Sequence, residues 1–215
     1  MKIVRLVLAL HLSLLAAKTI NFDHDKVGEV PKGWSVAMTH QGGAPKWEVL
    51  AEPTAPSKSK VLAQTSSDAT GGRFPLCIYD NSNLKDGEVS VAFKAVSGRV
   101  DQGAGLVWRY RDSGNYYITR ANALENNVVL YKVENGVRRS LAPKGTPSDT
   151  YGVRRRIPSG VWSTLRVSFS GSQFTVYLNG EKVFDVEDTT FTGAGKVGLW
   201  TKADSVIYFD NFEFR

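Results

Sequence analysis

The sequence is poor in residues that cross-link a chain or bind metals, with one cysteine and three histidines among 215 residues. A single cysteine excludes an intramolecular disulfide, so the fold must be stabilised by packing. Cys77 lies in the apolar run 74–79, which predicts a buried small hydrophobic side chain rather than a nucleophile. The spacing of the histidines argues against a zinc-dependent hydrolase; they are His11, His24 and His40.

Helical periodicity is nearly absent beyond the first residues. Apolar side chains rarely recur at the spacing of a helix face, whereas alternation with a period of two continues along the chain. We therefore predict an all-β protein. Its clearest strands are expected at 88–96, 104–111, 116–121, 128–133, 161–169, 174–178, 196–201 and 206–214, with a further strand at 61–64.

Two Asn-Gly pairs separate predicted strands, Asn135-Gly136 and Asn179-Gly180. Both predict two-residue hairpin turns, because Asn and Gly accept the positive φ values that such turns require. Many short antiparallel strands without disulfides indicate two stacked sheets, in which the first and last strands pair. No linker-like stretch divides the chain, so we predict one jelly-roll domain over 18–215.

The first 17 residues have the pattern of an export signal. Lys2 and Arg5 precede an apolar run of 12 residues that ends in Ala16-Ala17, and a bilayer span would need about 20. We predict a signal peptide over 1–17, cleavage after Ala17, no membrane span, and a periplasmic or extracellular location. An uncleaved anchor or a core segment are the alternatives.

The net charge of +6 is too small to suggest a nucleic-acid partner. Positive residues cluster in two places, Arg138-Arg139 and Arg154-Arg155-Arg156. Both clusters are expected to form a solvated rim.

Three segments carry a family resemblance: 105–117, 176–180, and 195–201 with 208–212. Together they resemble the concanavalin A-like lectin/glucanase superfamily, near the laminin-G-like and 3-keto-disaccharide hydrolase families. The resemblance implies a two-sheet antiparallel jelly-roll sandwich and a carbohydrate ligand. The superfamily's glucanases carry Glu-x-Asp-x-x-Glu, which this chain lacks; its nearest acidic cluster, 185–188, has the wrong spacing, which argues against a retaining glucanase mechanism.

Candidate sugar-binding residues lie in the middle of the chain and at the end of a late strand. Planar hydrogen-bonding groups and aromatic faces are what sugar recognition needs. Alternation places Leu106, Trp108 and Tyr110 in the core and turns Arg109 to the opposite surface. The expected substrate-binding residues are Arg109, Tyr117, Arg120, Asn122, Trp200 and Lys202, with Glu125 as a candidate acid or base. We expect Arg109, Arg120, Asn122, Glu125 and Trp200 around one groove.

Three carboxylates near the chain ends are candidate ligands for a structural calcium ion: Asp23, Asp25 and Asp210. Pairing of the first and last strands would bring them together, and calcium prefers such oxygen ligands. Turn capping and edge protection explain the same residues, and no other cofactor is expected.

The sequence thus predicts an exported, lectin-like carbohydrate-binding domain. The alternative is a glycoside-processing enzyme resembling the 3-keto-disaccharide hydrolases, in which Glu125 acts as acid or base while Arg109 and Arg120 orient the sugar. A structural or adhesion domain is the third reading. The residues leave open whether the protein is an enzyme.

Overall fold

A computed structural model describes residues 17–215. The predicted signal peptide therefore lies outside the described residues, apart from Ala17. No helix among the residues described is long and apolar enough to cross a membrane.

The described chain forms sixteen β-strands, which confirms the all-β prediction, although the sequence pattern located only nine of them. They are β1 (Lys18–Ile20), β2 (Trp34–Thr39), β3 (Trp47–Ala51), β4 (Lys60–Gln64), β5 (Phe74–Leu84), β6 (Gly87–Ser97), β7 (Gly103–Asp112), β8 (Asn115–Asn122), β9 (Asn127–Glu134), β10 (Val137–Leu141), β11 (Val153–Arg154), β12 (Ser163–Ser170), β13 (Gln173–Leu178), β14 (Glu181–Glu187), β15 (Gly195–Thr201) and β16 (Val206–Phe214).

The strands build two stacked antiparallel sheets, which confirms the jelly-roll sandwich. Sheet 1 has the order β14-β13-β12-β6-β16-β4-β3, with β1 also paired to β16. Sheet 2 has the order β10-β9-β8-β7-β15-β5-β2, with β11 also paired to β9. The first and last strands pair as expected, with Lys18 opposite Phe214.

Both predicted hairpins are present. Asn135 and Gly136 join β9 to β10 with φ values of 49° and 79°, and Asn179 and Gly180 join β13 to β14 with 51° and 83°. Positive φ at both central residues is the geometry that matches the twist of the flanking strands.

The central strands of sheet 2 are buried on both faces. Its inner face meets sheet 1 in the main core, which includes Trp108, Tyr117 and Leu199. Its outer face carries a second apolar cluster, here called the outer cluster: Phe74, Leu76, Ile78, Val107, Tyr116, Ile118, Val129, Tyr131, Val133 and Trp200. The near-continuous burial of β8 and β9 follows from these two clusters.

Cys77 is fully buried in the main core, as predicted. Desolvation raises the pKa of its thiol well above the ordinary value, which keeps the sulfur protonated. The side chain therefore acts as a small hydrophobic group.

A β-bulge in β7 overturns one face assignment. The pairing of β7 with β8 shifts register between Trp108 and Asp112, and Arg109 has a φ of 49°. The bulge breaks the strict alternation, so Arg109 faces the main core while Tyr110 packs on the outer cluster. This is the reverse of the sequence prediction for both residues.

Candidate functional site

Arg109 has a structural role, because its side chain joins three segments of backbone. Its guanidinium donates to the backbone carbonyls of Lys85, Gly171 and Phe191 at 2.9, 2.7 and 2.6 Å. The guanidinium carbon of Arg109 lies 5.5 Å from the ring centre of Phe174. The expectation that Arg109 shares a groove with Arg120 is wrong, because the bulge turns Arg109 to the opposite face of sheet 2.

Tyr117 and Trp200 are also enclosed. Tyr117 is fully buried in the main core, where its hydroxyl donates to Asp188 at 2.5 Å and accepts from the backbone N–H of Phe191 at 3.0 Å. Trp200 lies in the outer cluster with no exposed surface. Neither ring is open to stack on a sugar, which corrects their prediction as substrate contacts.

Four other predicted residues do come together at one end of sheet 2: Arg120, Asn122, Glu125 and Lys202. This end is formed by the start of β7, the end of β8, the start of β9 and the residue after β15. With Asp101, Asn127 and Tyr151, these residues form what we call the rim cluster.

Arg120 is the buried centre of the rim cluster, with a side chain 1% exposed. It donates to Glu125 Oε2 at 2.7 Å, to Asn127 Oδ1 at 2.7 Å and to the hydroxyl of Tyr151 at 3.0 Å. A planar guanidinium that satisfies three partners fixes their relative positions. Arg120 therefore orients groups nearer the surface and does not itself face solvent.

Asn122 links the two carboxylates of the cluster. Its amide nitrogen donates to Asp101 Oδ1 at 2.7 Å and to Glu125 Oε1 at 3.2 Å. Its oxygen accepts from the backbone N–H groups of Leu124 and Glu125, which fixes the turn between β8 and β9. Lys202 Nζ donates to Asp101 Oδ2 at 2.5 Å.

Glu125 is the most accessible acidic group of the cluster, with a side chain 37% exposed. Burial raises the pKa of this carboxyl, but the charge and hydrogen bond of Arg120, the amide of Asn127 and the charge of Lys202 together bring it below the ordinary value. Glu125 is therefore ionised at neutral pH. It can accept a proton or hydrogen bonds, and it is a poor proton donor.

Tyr151 was missed by the sequence reading. Its side chain is 48% exposed, yet its hydroxyl is held by Arg120 at 3.0 Å and lies 2.5 Å from the hydroxyl of Tyr131. A signal was present, because an aromatic residue in the polar segment 149–152 lacks the alternation expected of a core position. Asp101, 1% exposed, was missed because nothing in the sequence links it to Asn122.

Two of the three carboxylates proposed for calcium hold the loop at 57–60, whereas Asp25 contacts it through its backbone carbonyl, which accepts from Lys60 Nζ at 2.8 Å. Asp23 Oδ1 accepts from the backbone N–H groups of Ser59 and Lys60 at 3.0 and 3.1 Å, and Asp210 Oδ2 accepts from that of Ser57 at 2.7 Å. Within residues 17–215 no group of three or more His, Cys, Asp or Glu side chains is arranged to hold a metal. Calcium at these residues stays an untested prediction.

The fold and the comparisons define the class of protein. The structure is similar to a carbohydrate-binding module, CBM66, from Bacillus subtilis, at 21% identity and a TM-score of 0.61, over 84% of this chain and 93% of that one. It is also similar to the carbohydrate recognition domain of Emp47p, at 14% identity and a TM-score of 0.55, over 92% and 93% of the two chains. The VIP36 exoplasmic/lumenal domain, in its Ca²⁺/Man-bound form, matches at 16% identity and a TM-score of 0.53, over 86% and 83%. These likenesses show that the chain shares the two-sheet β-sandwich fold of these proteins.

Within this class the family is defined by sequence. The model of the 3-keto-alpha-glucoside-1,2-lyase-like domain matches residues 22–215, and the chain belongs to that family. No curated protein matches the sequence.

Proposed function

We propose that the protein binds carbohydrate at the rim cluster. The observation that carries the proposal is the half-exposed ring of Tyr151, fixed by Arg120 next to the accessible carboxylate of Glu125. An aromatic face beside planar hydrogen-bonding groups matches the alternating C–H and hydroxyl surface of a sugar. The carbohydrate-binding and carbohydrate-recognition neighbours support the same ligand class.

Binding is tested with a glycan array followed by calorimetry on the sugars that bind. Glu125→Gln keeps the size of the side chain and removes its charge, so we expect affinity to fall by about tenfold, the effect of weakening a charged hydrogen bond. Glu187→Gln is the matched control, because Glu187 is an exposed, lysine-paired carboxylate on sheet 1. Equal affinity of the native protein and Glu125→Gln for every sugar would place the site elsewhere.

A second candidate is a lyase that acts on 3-keto-α-glucosides, the reaction in the family's name. A ketone at C3 acidifies the proton on C2, and Glu125, ionised and partly exposed, is the candidate base that removes it. The C2–H electron pair then forms the C1=C2 double bond, the C1–O bond breaks, and the departing alkoxide takes up the proton that Glu125 removed, directly or through water. Lys202, held by Asp101, is the cation of the cluster that would stabilise the developing enolate.

Proton exchange separates the two candidates. A lyase converts a 3-keto-α-glucoside into a product unsaturated at C1=C2. In D₂O the remaining substrate also gains deuterium at C2 if proton removal reverses before the C1–O bond breaks, and mass spectrometry detects both. Glu125→Gln should abolish both while sugar binding is retained within about tenfold. A binding domain leaves the substrate unchanged.

Export through residues 1–17 is also part of the proposal, supported by the charged start and the short apolar run. Mass spectrometry of the secreted protein should show an N-terminus at Lys18. An intact Met1 on a protein retained in the cytosol would contradict export.

A further inference from the structure

An arginine-lined depression borders the rim cluster. It has a volume of about 420 Å³ and is lined by Asn126, Arg154, Arg155 and Arg156. Asn126 follows Glu125 directly in the chain, and Arg154 pairs with Asn127 at the edge of sheet 2. The depression is therefore continuous with the turn that carries Glu125.

The segment that carries the three arginines is held at several points. Gly152 has a φ of 63°, and a Cβ there would lie 2.3 Å from the carbonyl oxygen of Val128, so only glycine allows this approach to β9. The backbone N–H groups of Arg155 and Ile157 donate to the carbonyl and side-chain oxygens of Asn126 at 3.0 and 3.1 Å. Ile157, 2% exposed, anchors the far end in the core. The arginines thus project from a fixed backbone.

These arginines lack acidic partners within the described part of the chain. No carboxylate of residues 17–215 lies within 4 Å of their guanidinium groups, whereas Arg120, Arg166 and Arg215 each pair with a glutamate. Arg154 and Arg156 are exposed, and Arg155 turns one nitrogen back to the carbonyl of Arg154 at 2.9 Å. Positive charges gathered without counter-charges attract an anion, and guanidinium groups are suited to oxyanions.

We propose that this depression binds an oxyanion, a carboxylate or a sulfate ester, carried by the carbohydrate that occupies the rim cluster. The inference rests on the proposed function and deepens it, since it names an acidic sugar as the ligand class. Sugar hydroxyls would contact Glu125 and Tyr151, and the acidic substituent would lie against Arg154 and Arg156. The arginines select the ligand and take no part in chemistry.

The test compares acidic and neutral sugars of the same size. The probes are digalacturonate, a sulfated disaccharide and neutral cellobiose, titrated into the full-length protein by calorimetry. We expect one acidic probe to bind at least about tenfold more tightly than cellobiose, and this advantage should decrease as salt is added. Whichever acidic probe binds more tightly identifies the oxyanion, and either supports the proposal.

Arg154→Gln/Arg156→Gln should abolish the acidic advantage and leave cellobiose binding unchanged. Lys58→Gln/Lys182→Gln is the matched control, because it removes the same charge at two exposed lysines away from the site. The proposal is overturned if acidic and neutral sugars bind the native protein equally, if the advantage survives in the arginine variant, or if the lysine variant loses it equally.

Inorganic sulfate alone distinguishes this inference from the proposed function. Sulfate-induced chemical shift changes at Asn126 and Arg155, absent from the arginine variant, establish the anion site independently of any sugar. Such changes in a protein that binds no carbohydrate would contradict the proposed function and overturn the acidic-sugar assignment. Sugar binding without an acidic preference would leave the proposed function standing and overturn this inference alone.

Discussion

The side chains of Arg109 and Arg120 project from opposite faces of sheet 2, and each is only 1% exposed. Arg109 joins three backbone carbonyls of neighbouring loops, whereas Arg120 holds the side chains of the rim cluster. The two residues look alike in sequence, since both are arginines in strands where apolar and polar residues alternate. Their different partners predict different consequences when each is replaced.

Replacing Arg109 should affect stability and leave the site intact. Arg109→Ala removes the donors to the carbonyls of Lys85, Gly171 and Phe191, so we expect the free energy of unfolding to fall by about 3 kcal/mol. Arg111→Ala is the control, because Arg111 is exposed and its guanidinium lies over the ring of Phe191, 5.0 Å from the ring centre; its cost should stay below about 1 kcal/mol. Urea denaturation measures both, and a stable Arg109→Ala protein that had lost its sugar would contradict the structural role.

The strands and hairpins could be predicted because they depend on local patterns. Period-two alternation and the Asn-Gly pairs act over a few residues, and they located β6 to β9 and the turns at 135–136 and 179–180. The face of Arg109 could not be predicted, because the bulge depends on pairing with β8. The burial of Trp200 could not be predicted for a similar reason. The ring of Phe74 and the guanidinium of Arg138 that pack against it come from strands far away in the sequence.

The hairpin at Asn179-Gly180 offers a test of backbone strain. Gly180 has a φ of 83° with nothing within 4 Å of a built Cβ, so Gly180→Ala introduces strain without a clash. We expect a loss of about 1 kcal/mol in the free energy of unfolding. Gly71→Ala is the control, because Gly71 has open space and no positive φ. Thermal unfolding of the two variants provides the comparison, and equal midpoints would rule out strain at Gly180.

The pKa of Glu125 predicts how acid affects the rim cluster. Since the folded protein holds this pKa below its ordinary value of 4.5, ionised Glu125 stabilises the fold above pH 4.5, and that contribution is lost as the pH falls through the folded pKa. The stability difference between the native protein and Glu125→Gln should be constant near neutral pH and shrink in acid. An NMR titration of the Glu125 carboxyl measures the midpoint directly, and a value above 4.5 would refute the argument.

Cys77 should be unreactive while the protein is folded. Complete burial and the raised pKa remove both access and thiolate, the nucleophilic form. A thiol reagent should therefore label the native protein only as fast as it unfolds, and label it fully in concentrated guanidinium chloride. Ser170→Cys, at an exposed strand end, controls for reagent activity and should react at once. Rapid labelling of native Cys77 would show that the core opens locally around it.

Two substitutions of Tyr151 separate the contribution of its aromatic ring to sugar binding from that of its hydroxyl. Tyr151→Phe keeps the ring but removes the hydroxyl bonded to Arg120 at 3.0 Å, whereas Tyr151→Ala removes both. If the ring stacks on sugar, Tyr151→Ala should weaken binding about tenfold and Tyr151→Phe by less than about threefold. Calorimetry with a sugar found on the array measures the three affinities.

A ring on the other sheet provides the control for this series. Tyr177 lies on β13, partly buried beneath the guanidinium of Arg166 at 3.7 Å, so Tyr177→Ala removes an aromatic ring without touching the rim cluster. Its sugar affinity should equal that of the native protein. If Tyr151→Phe instead binds as weakly as Tyr151→Ala, the hydroxyl matters through Arg120 and stacking is refuted. If both bind normally, the sugar does not contact Tyr151, because a half-exposed ring in direct contact cannot be deleted without loss of buried area.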